Sequence, residues 1–77
     1  MRVHKKFSEI LLRAREKQGL TQNQVAEAVS ISLRWYQGLE RGDKLPGTIV
    51  MLRLILLLHI VVEELRDVLD ILPPPPC

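Results

Sequence analysis

A short run near the middle of the chain carries side chains that can hydrogen-bond to nucleic acid. Tyr36 and Leu39, at helical spacing, predict the inner face of a helix over 32–41. Arg34 and Gln37 then project outward from that helix. Guanidinium and amide groups on an exposed helix can bond to phosphates and to base edges. We therefore expect this chain to act by recognition rather than by catalysis.

The elements that must position these side chains lie directly before them. Thr21 and Gln24 fit a capping box at the start of a helix whose apolar residues include Ala26. Ser30 falls in a tight corner, and Ser32 is the expected N-cap of the helix that follows. Two short helices joined in this way form a helix-turn-helix, which places its second helix on the surface where it can enter a DNA groove.

The remaining segments predict helices that pack around this unit. Apolar spacing predicts helices over 4–18, 48–58 and 61–72, with His59 at the joint between the last two. A proline-rich tail then follows over 73–77, with four prolines and the final Cys77. We expect an all-α domain of five helices over residues 1–72, with the helix-turn-helix at helices two and three.

The fourth helix is apolar on every side except at Arg53. Such a helix is normally buried on every side, and a chain of 77 residues can cover only one of its faces. The other face should meet a second subunit. We expect the dimer contact to include Ile49, Val50, Leu56, Leu57 and Ile60.

Composition excludes several classes of protein. Hydrophobic residues make up 47% of the chain, and a net charge of +2 permits a polyanionic partner without requiring one. The single cysteine, Cys77, excludes an internal disulfide; an exposed thiol and a disulfide between two chains both stay open. The sequence predicts no metal site, no cofactor and no catalytic constellation.

The only membrane candidate is the apolar run over 48–62. It is shorter than the ~20 residues that a transmembrane helix needs, and it contains Arg53 and His59. The basic start of the chain leads into an amphipathic segment rather than an apolar signal sequence. We expect a soluble, cytoplasmic protein.

The motifs together resemble the lambda-repressor/Cro-like helix-turn-helix family, also called the xenobiotic-response-element family. The most specific parts are GLTQ at 19–22 and LERG at 39–42, at the separation found in that family. The resemblance extends from about Phe7 to Leu69. It implies a transcriptional regulator, in the first place a repressor, that binds a palindromic operator in double-stranded DNA as a homodimer.

The resemblance also implies roles for individual residues. Arg15 and Glu40 match an ion pair between helices one and three of the family. Residues that match the groove-facing positions are Ser32, Leu33, Arg34, Gln37 and Gly38. Gln22 matches a position that bonds a DNA phosphate in the family. Apart from the resemblance, Thr21, Arg41 and Lys44 are further candidates for phosphate contact because of their residue types and places in the chain.

The chain departs from the family pattern in four places. Ser30 stands where the corner is commonly glycine. Leu33 and Gly38 stand where polar side chains often read bases, which leaves Arg34 and Gln37 as the main candidates for hydrogen bonds to bases. Helix four is more apolar on its outside than is usual in the family.

Two other functions stay open. The chain could be an antitoxin that binds DNA and also holds a toxin on the apolar face of helix four. It could also be a protein-interaction module that kept the fold and lost DNA binding, an idea that Leu33, Trp35 and Gly38 favour.

Overall fold

The chain folds into four α-helices followed by a short helical turn. The structure, a computed structural model, describes residues 4–69, and this part contains no strand. The all-α prediction is therefore confirmed. The helices are α1 (Lys5–Gln18), α2 (Gln22–Ala28), α3 (Leu33–Arg41) and α4 (Thr48–Leu58), followed by a 3-10 turn (Val62–Leu65) and a single turn, α5 (Arg66–Leu69).

The predicted fifth helix is not confirmed as one continuous helix. It begins as a 3-10 turn closed by the hydrogen bond from Glu64 N to Val61 O, and Val61 provides no side-chain cap. β-branched residues at an uncapped start give a helix little support, and 3-10 geometry is common at helix ends. The predicted end at Leu72, the tail over 73–77 and Cys77 lie outside the described residues.

One apolar core joins all the helices. Helix α3 packs against α1 and α2, and α4 packs against α1 and α2 from another side. Ala26 of α2 and the predicted inner face of α3, Tyr36 and Leu39, are buried. The core consists of Phe7, Leu11, Val25, Ala26, Val29, Tyr36, Leu39, Leu54, Leu58, Ile60 and Leu65.

The helix ends follow the capping chemistry predicted from the sequence. In the capping box of α2, Gln24 N donates to Thr21 Oγ1 at 3.1 Å and Thr21 N donates to Gln24 Oε1 at 2.8 Å. At the start of α3, Ser32 Oγ accepts from Trp35 N at 3.1 Å. These caps fix where α2 and α3 begin, so they also fix which side chains stand at the two helix starts.

The outer face of α4 stays uncovered within the described chain. Leu56 is 78% exposed, and Ile49 and Leu52 are also exposed, whereas Val50 and Leu57 are half-buried against the core. Ile60, predicted to belong to a dimer contact, differs from the other four residues: it is only 5% exposed and lies in the core, so it offers little surface to a second subunit. His59 has a left-handed backbone (φ 55°) that ends α4, and Ile60 N then donates back to Ile55 O at 3.1 Å.

Arg53 interrupts the apolar surface of α4 for a structural reason. Its Nη1 donates to Val29 O at 3.1 Å, at the C-terminal end of α2. Carbonyl groups in the last turn of a helix have no partner inside the helix, and a cation there also meets the negative end of the helix dipole. Arg53 therefore ties α4 to the helix-turn-helix. No helix of the described chain is long and apolar enough to cross a membrane.

The corner between α2 and α3 holds a non-glycine residue in the left-handed region. Ser30 has φ 63°, and Ile31 N donates to Ala26 O at 3.0 Å across the corner. A side chain at Cβ makes this backbone conformation unfavourable by roughly 1–2 kcal/mol, a penalty that glycine avoids.

We expect Ser30→Gly to raise the free energy of unfolding by about 1 kcal/mol, since the relief of strain exceeds the added flexibility of the unfolded chain. Denaturant unfolding followed by circular dichroism measures this. Ser30→Ala is the matched control, because it keeps Cβ and should give no gain. Equal stability of the glycine and alanine variants would contradict strain at Ser30.

Candidate nucleic-acid interface

The first turn of α3 stands on the surface with its polar groups accessible. Ser32 and Arg34 are exposed, and Leu33 is 38% exposed. The Arg34 guanidinium makes no hydrogen bond or ion pair within residues 4–69. All five of its N–H donors can therefore reach a partner outside the chain.

The start of α2 lies beside the start of α3. An open depression on the surface is lined by Thr21, Gln22 and Asn23 from the start of α2, by Leu33 from the start of α3, and by residues at the end of α1. The structure therefore brings the predicted phosphate-contacting residues Thr21 and Gln22 next to the predicted groove-facing residue Leu33.

Gly38 does not face solvent as the sequence had indicated. It is buried, and the aliphatic part of Lys44 lies across it, with Lys44 Cδ 3.4 Å from the position that a Cβ of residue 38 would occupy. Gly38, predicted to face the groove, is thus covered by a side chain of the protein itself in the free chain. The loop after α3 folds back and places the Lys44 side chain over the position that a side chain at residue 38 would occupy.

Lys44 and Arg41 extend the positive charge of this surface. Arg34, the covered Gly38 and Arg41 follow one another at i, i+4 and i+7, so they share one face of α3. Arg41 Nε pairs with Asp43 Oδ2 at 2.9 Å, and both side chains are about half-exposed. An exposed pair of this kind contributes ~0–1 kcal/mol, so it can be exchanged for a phosphate at little cost.

Behind this surface, an ion pair joins α1 to α3 as the resemblance implied. Arg15 Nε donates to Glu40 Oε2 at 2.6 Å, and Arg15 Nη2 donates to Glu40 Oε1 at 3.2 Å. Arg15 Nη1 also donates to Leu20 O at 2.9 Å. The two side chains are 16% and 7% exposed. Two parallel bonds between a planar guanidinium and a carboxylate fix both position and orientation.

The ion pair keeps Glu40 charged. Burial by itself raises the pKa of Glu40, but Arg15, the neighbouring Tyr36 hydroxyl and Gln22 together outweigh it, so the pKa is held below the ordinary value of 4.5. Hydrogen bonds to a carboxylate favour its charged form. At neutral pH Glu40 is therefore a carboxylate that can only accept hydrogen bonds.

Two glutamines connect this buried carboxylate to the surface. Gln22 Nε2 donates to Glu40 Oε1 at 3.0 Å, and Gln37 Nε2 donates to Gln22 Oε1 at 3.3 Å. Gln22 and Gln37 are both half-buried. The hydrogen bonds thus connect the helices in sequence, from Arg15 on α1 to Glu40 on α3, then to Gln22 on α2, and finally back to Gln37 on α3. We call Arg15, Glu40, Gln22 and Gln37 the relay.

A family model described as a helix-turn-helix domain matches residues 7–69, which is most of the 77 residues. The chain belongs to the helix-turn-helix domain family. No curated protein and no solved structure matches it. Membership of this family supports a DNA-binding regulator. The lambda-repressor/Cro-like assignment within the family stays a prediction.

Two contacts of this helix-turn-helix domain were missed in the sequence. The link between Gln22 and Gln37 depends on how closely α2 and α3 approach, which residue spacing along one helix does not reveal. One feature of the sequence could have indicated the hydrogen bond from Arg53 to Val29, namely a single charge on an otherwise apolar helix. A charge in that position points to a specific partner.

We expect Arg15→Met to lower the free energy of unfolding at neutral pH by about 3–5 kcal/mol, because it leaves the Glu40 carboxylate buried without its cation. In the wild type, Glu40 stabilises the fold above pH 4.5, and this contribution is lost as pH falls through its lowered pKa. In the variant, protonation relieves the stranded charge, so the difference in stability should shrink in acid. Denaturant unfolding at several pH values measures both effects.

Arg66→Met is the control for this variant. Arg66 pairs with Glu63, and both side chains are more than half exposed. An exposed pair contributes about 0–1 kcal/mol, so its loss should change the free energy of unfolding little at any pH. A pH-independent loss in Arg15→Met, or an equal loss in Arg66→Met, would contradict the role given to the ion pair.

Proposed function

We propose that this chain is a sequence-specific DNA-binding transcriptional regulator of the lambda-repressor/Cro-like type, with α3 entering the major groove. The observation that carries the proposal is Arg34, exposed and without a partner among residues 4–69, in the first turn of a capped helix. The buried ion pair fixes this helix from behind. A side chain must be held in a defined place to discriminate among bases.

The accessible side chains divide into base contacts and phosphate contacts. Arg34 is the main base contact, since a guanidinium bonds in a bidentate manner to guanine O6 and N7. Leu33, exposed beside it, suits a thymine methyl group. The phosphate contacts come from Thr21, Gln22 and Ser32 at the two helix starts and from Arg41 and Lys44 at the other end of α3.

Enrichment of duplexes from a pool with a randomised centre tests this function. We expect the wild type to enrich one motif and Arg34→Ala to lose the preference for guanine at one position of it, since a good bidentate contact discriminates by about 1–3 kcal/mol. The rest of the motif should persist, because the other contacts remain.

Arg66→Ala is the matched control for lost positive charge. Arg66 is exposed, lies at the start of α5 and pairs with Glu63 in the preceding 3-10 turn. Its removal should leave the motif unchanged. An Arg34→Ala motif identical to that of the wild type would refute the assignment of Arg34, and the absence of any enriched motif for the wild type would refute DNA recognition.

The proposal includes a symmetric homodimer that acts as a repressor on a palindromic operator. Half-sites would then lie about one helical turn, ~34 Å, apart. The uncovered face of α4 supports this assembly, with Ile49 and Leu56 exposed and Val50 and Leu57 at its edge. Exposed apolar surface on a small domain commonly marks a protein contact. This face carries no charge that a second copy would have to bury, apart from Arg53.

The same apolar face also supports a second candidate, an antitoxin that holds a different protein there. The two candidates differ in what the isolated chain does. A homodimer forms from the chain alone, whereas an antitoxin face stays uncovered until its partner is present.

We expect the chain to sediment as a dimer and Leu56→Glu to shift it to monomer, since a carboxylate cannot be buried against leucine without a partner. Leu12→Glu, at another exposed leucine on α1, should remain dimeric. Analytical ultracentrifugation measures both. A wild-type monomer would contradict the homodimer and favour the antitoxin, and equal dissociation of the two variants would place the contact elsewhere.

A further inference from the structure

The relay ends at a side chain on the proposed reading surface, and its bonds determine which way that side chain points. A glutamine amide has two chemically different ends, an oxygen that only accepts hydrogen bonds and an NH2 group that donates them. The two ends are nearly identical in shape, so their orientation follows from their partners. The orientation of Gln37 can therefore be argued from the buried end of the relay.

At the buried end of the relay, the charge of Glu40 determines which groups can bond to it. Glu40 receives two hydrogen bonds from Arg15, at 2.6 Å and 3.2 Å, and its side chain is 7% exposed. An ionised carboxylate has only acceptors to offer. The end of Gln22 that lies 3.0 Å from Glu40 Oε1 must then be the NH2 group.

The orientation of Gln22 decides that of Gln37. With its NH2 group toward Glu40, Gln22 presents Oε1 to α3, where Gln37 Nε2 lies 3.3 Å away. If the Gln37 amide were turned round, two carbonyl oxygens would face each other and the bond would be lost. If both amides were turned, a carbonyl oxygen would instead face the carboxylate of Glu40. The relay thus favours one orientation of both amides.

We infer that the relay makes Gln37 a specificity-determining residue that presents its amide oxygen to the major groove and selects a base with an exocyclic amino group. Adenine N6 and cytosine N4 are the donors of this kind in the groove, whereas guanine offers only acceptors. Gln22, Glu40 and Arg15 act as positioning residues for this contact. The inference rests on the proposed function, since it assumes that α3 lies in the groove.

A glutamine side chain with no hydrogen-bond partner in the protein would lack this preference for a base with an exocyclic amino group. It can turn its NH2 group outward to donate to guanine O6 or N7, or its oxygen outward to accept from adenine or cytosine. In this chain, turning Gln37 breaks its bond to Gln22 within a half-buried contact. The buried ion pair therefore contributes to base choice without any of its atoms touching DNA.

Three variants test the inference in the same enrichment experiment. Gln37→Ala first locates the motif position that depends on Gln37. At that position the wild type should exclude guanine by roughly 10-fold or more relative to adenine or cytosine. Gln22→Met keeps the Arg15–Glu40 pair and releases Gln37, so guanine should then be accepted within about 3-fold of the others.

Gln37→Glu provides the complementary test, because a carboxylate only accepts hydrogen bonds. It should keep the preference for an amino-bearing base, while total affinity falls for every sequence through repulsion from phosphate. Asn23→Ala is the control for Gln22→Met. Asn23 is exposed at the start of α2 and bonds to Glu27, outside the relay, so its removal should leave the base preference unchanged.

A second measurement uses the free protein and needs no DNA. In nuclear magnetic resonance spectra, Gln22→Met should move the side-chain amide signals of Gln37 toward those of an exposed glutamine, and Asn23→Ala should leave them in place. Unmoved Gln37 signals would overturn the relay itself.

The outcomes separate this inference from the proposed function. If the wild type enriches no motif, the proposed function fails and this inference fails with it. If the wild type enriches a motif in which guanine is preferred at the Gln37 position, or in which Gln22→Met keeps the exclusion of guanine, only the inference is overturned.

Discussion

The buried pair of Arg15 and Glu40 is the interaction on which the rest of this domain depends. It joins α1 to α3 with two hydrogen bonds in a place where neither charge is well solvated. The apolar core alone would allow α3 to shift or rotate slightly, because leucine and valine contacts have little directional preference. A guanidinium–carboxylate pair adds direction, so it fixes how the outer face of α3 is presented.

Hydrogen bonds through the side chains of two glutamines also connect the charged Glu40 to the surface. Gln22 and Gln37 form the remaining links of the relay, so an interaction inside the domain affects a side chain at the proposed DNA surface. The same surface contains Arg34 and Lys44. If α3 reads DNA as proposed, folding and recognition are coupled, because the ion pair between α1 and α3 also orders side chains that would contact bases.

Much of the fold could be predicted from the sequence because its signals are local. Thr21 with Gln24, Ser32, and the glycines Gly19 and Gly42 mark helix ends at the positions where the structure has them. Contacts that depend on the approach of distant segments were not predicted from the sequence. Lys44 over Gly38, the turn at His59 that buries Ile60, and the bond between the two glutamines follow from loop and interhelix geometry, which residue spacing does not encode.

The most direct test of the account is a nuclear magnetic resonance titration of the full chain with a duplex that it enriches. The account predicts that signals change at the starts of α2 and α3, at Arg34 and Gln37 above all, and at Lys44, while α5 stays unaffected. Changes confined to α4, or an α3 whose signals do not move, would contradict the claim that α3 reads DNA.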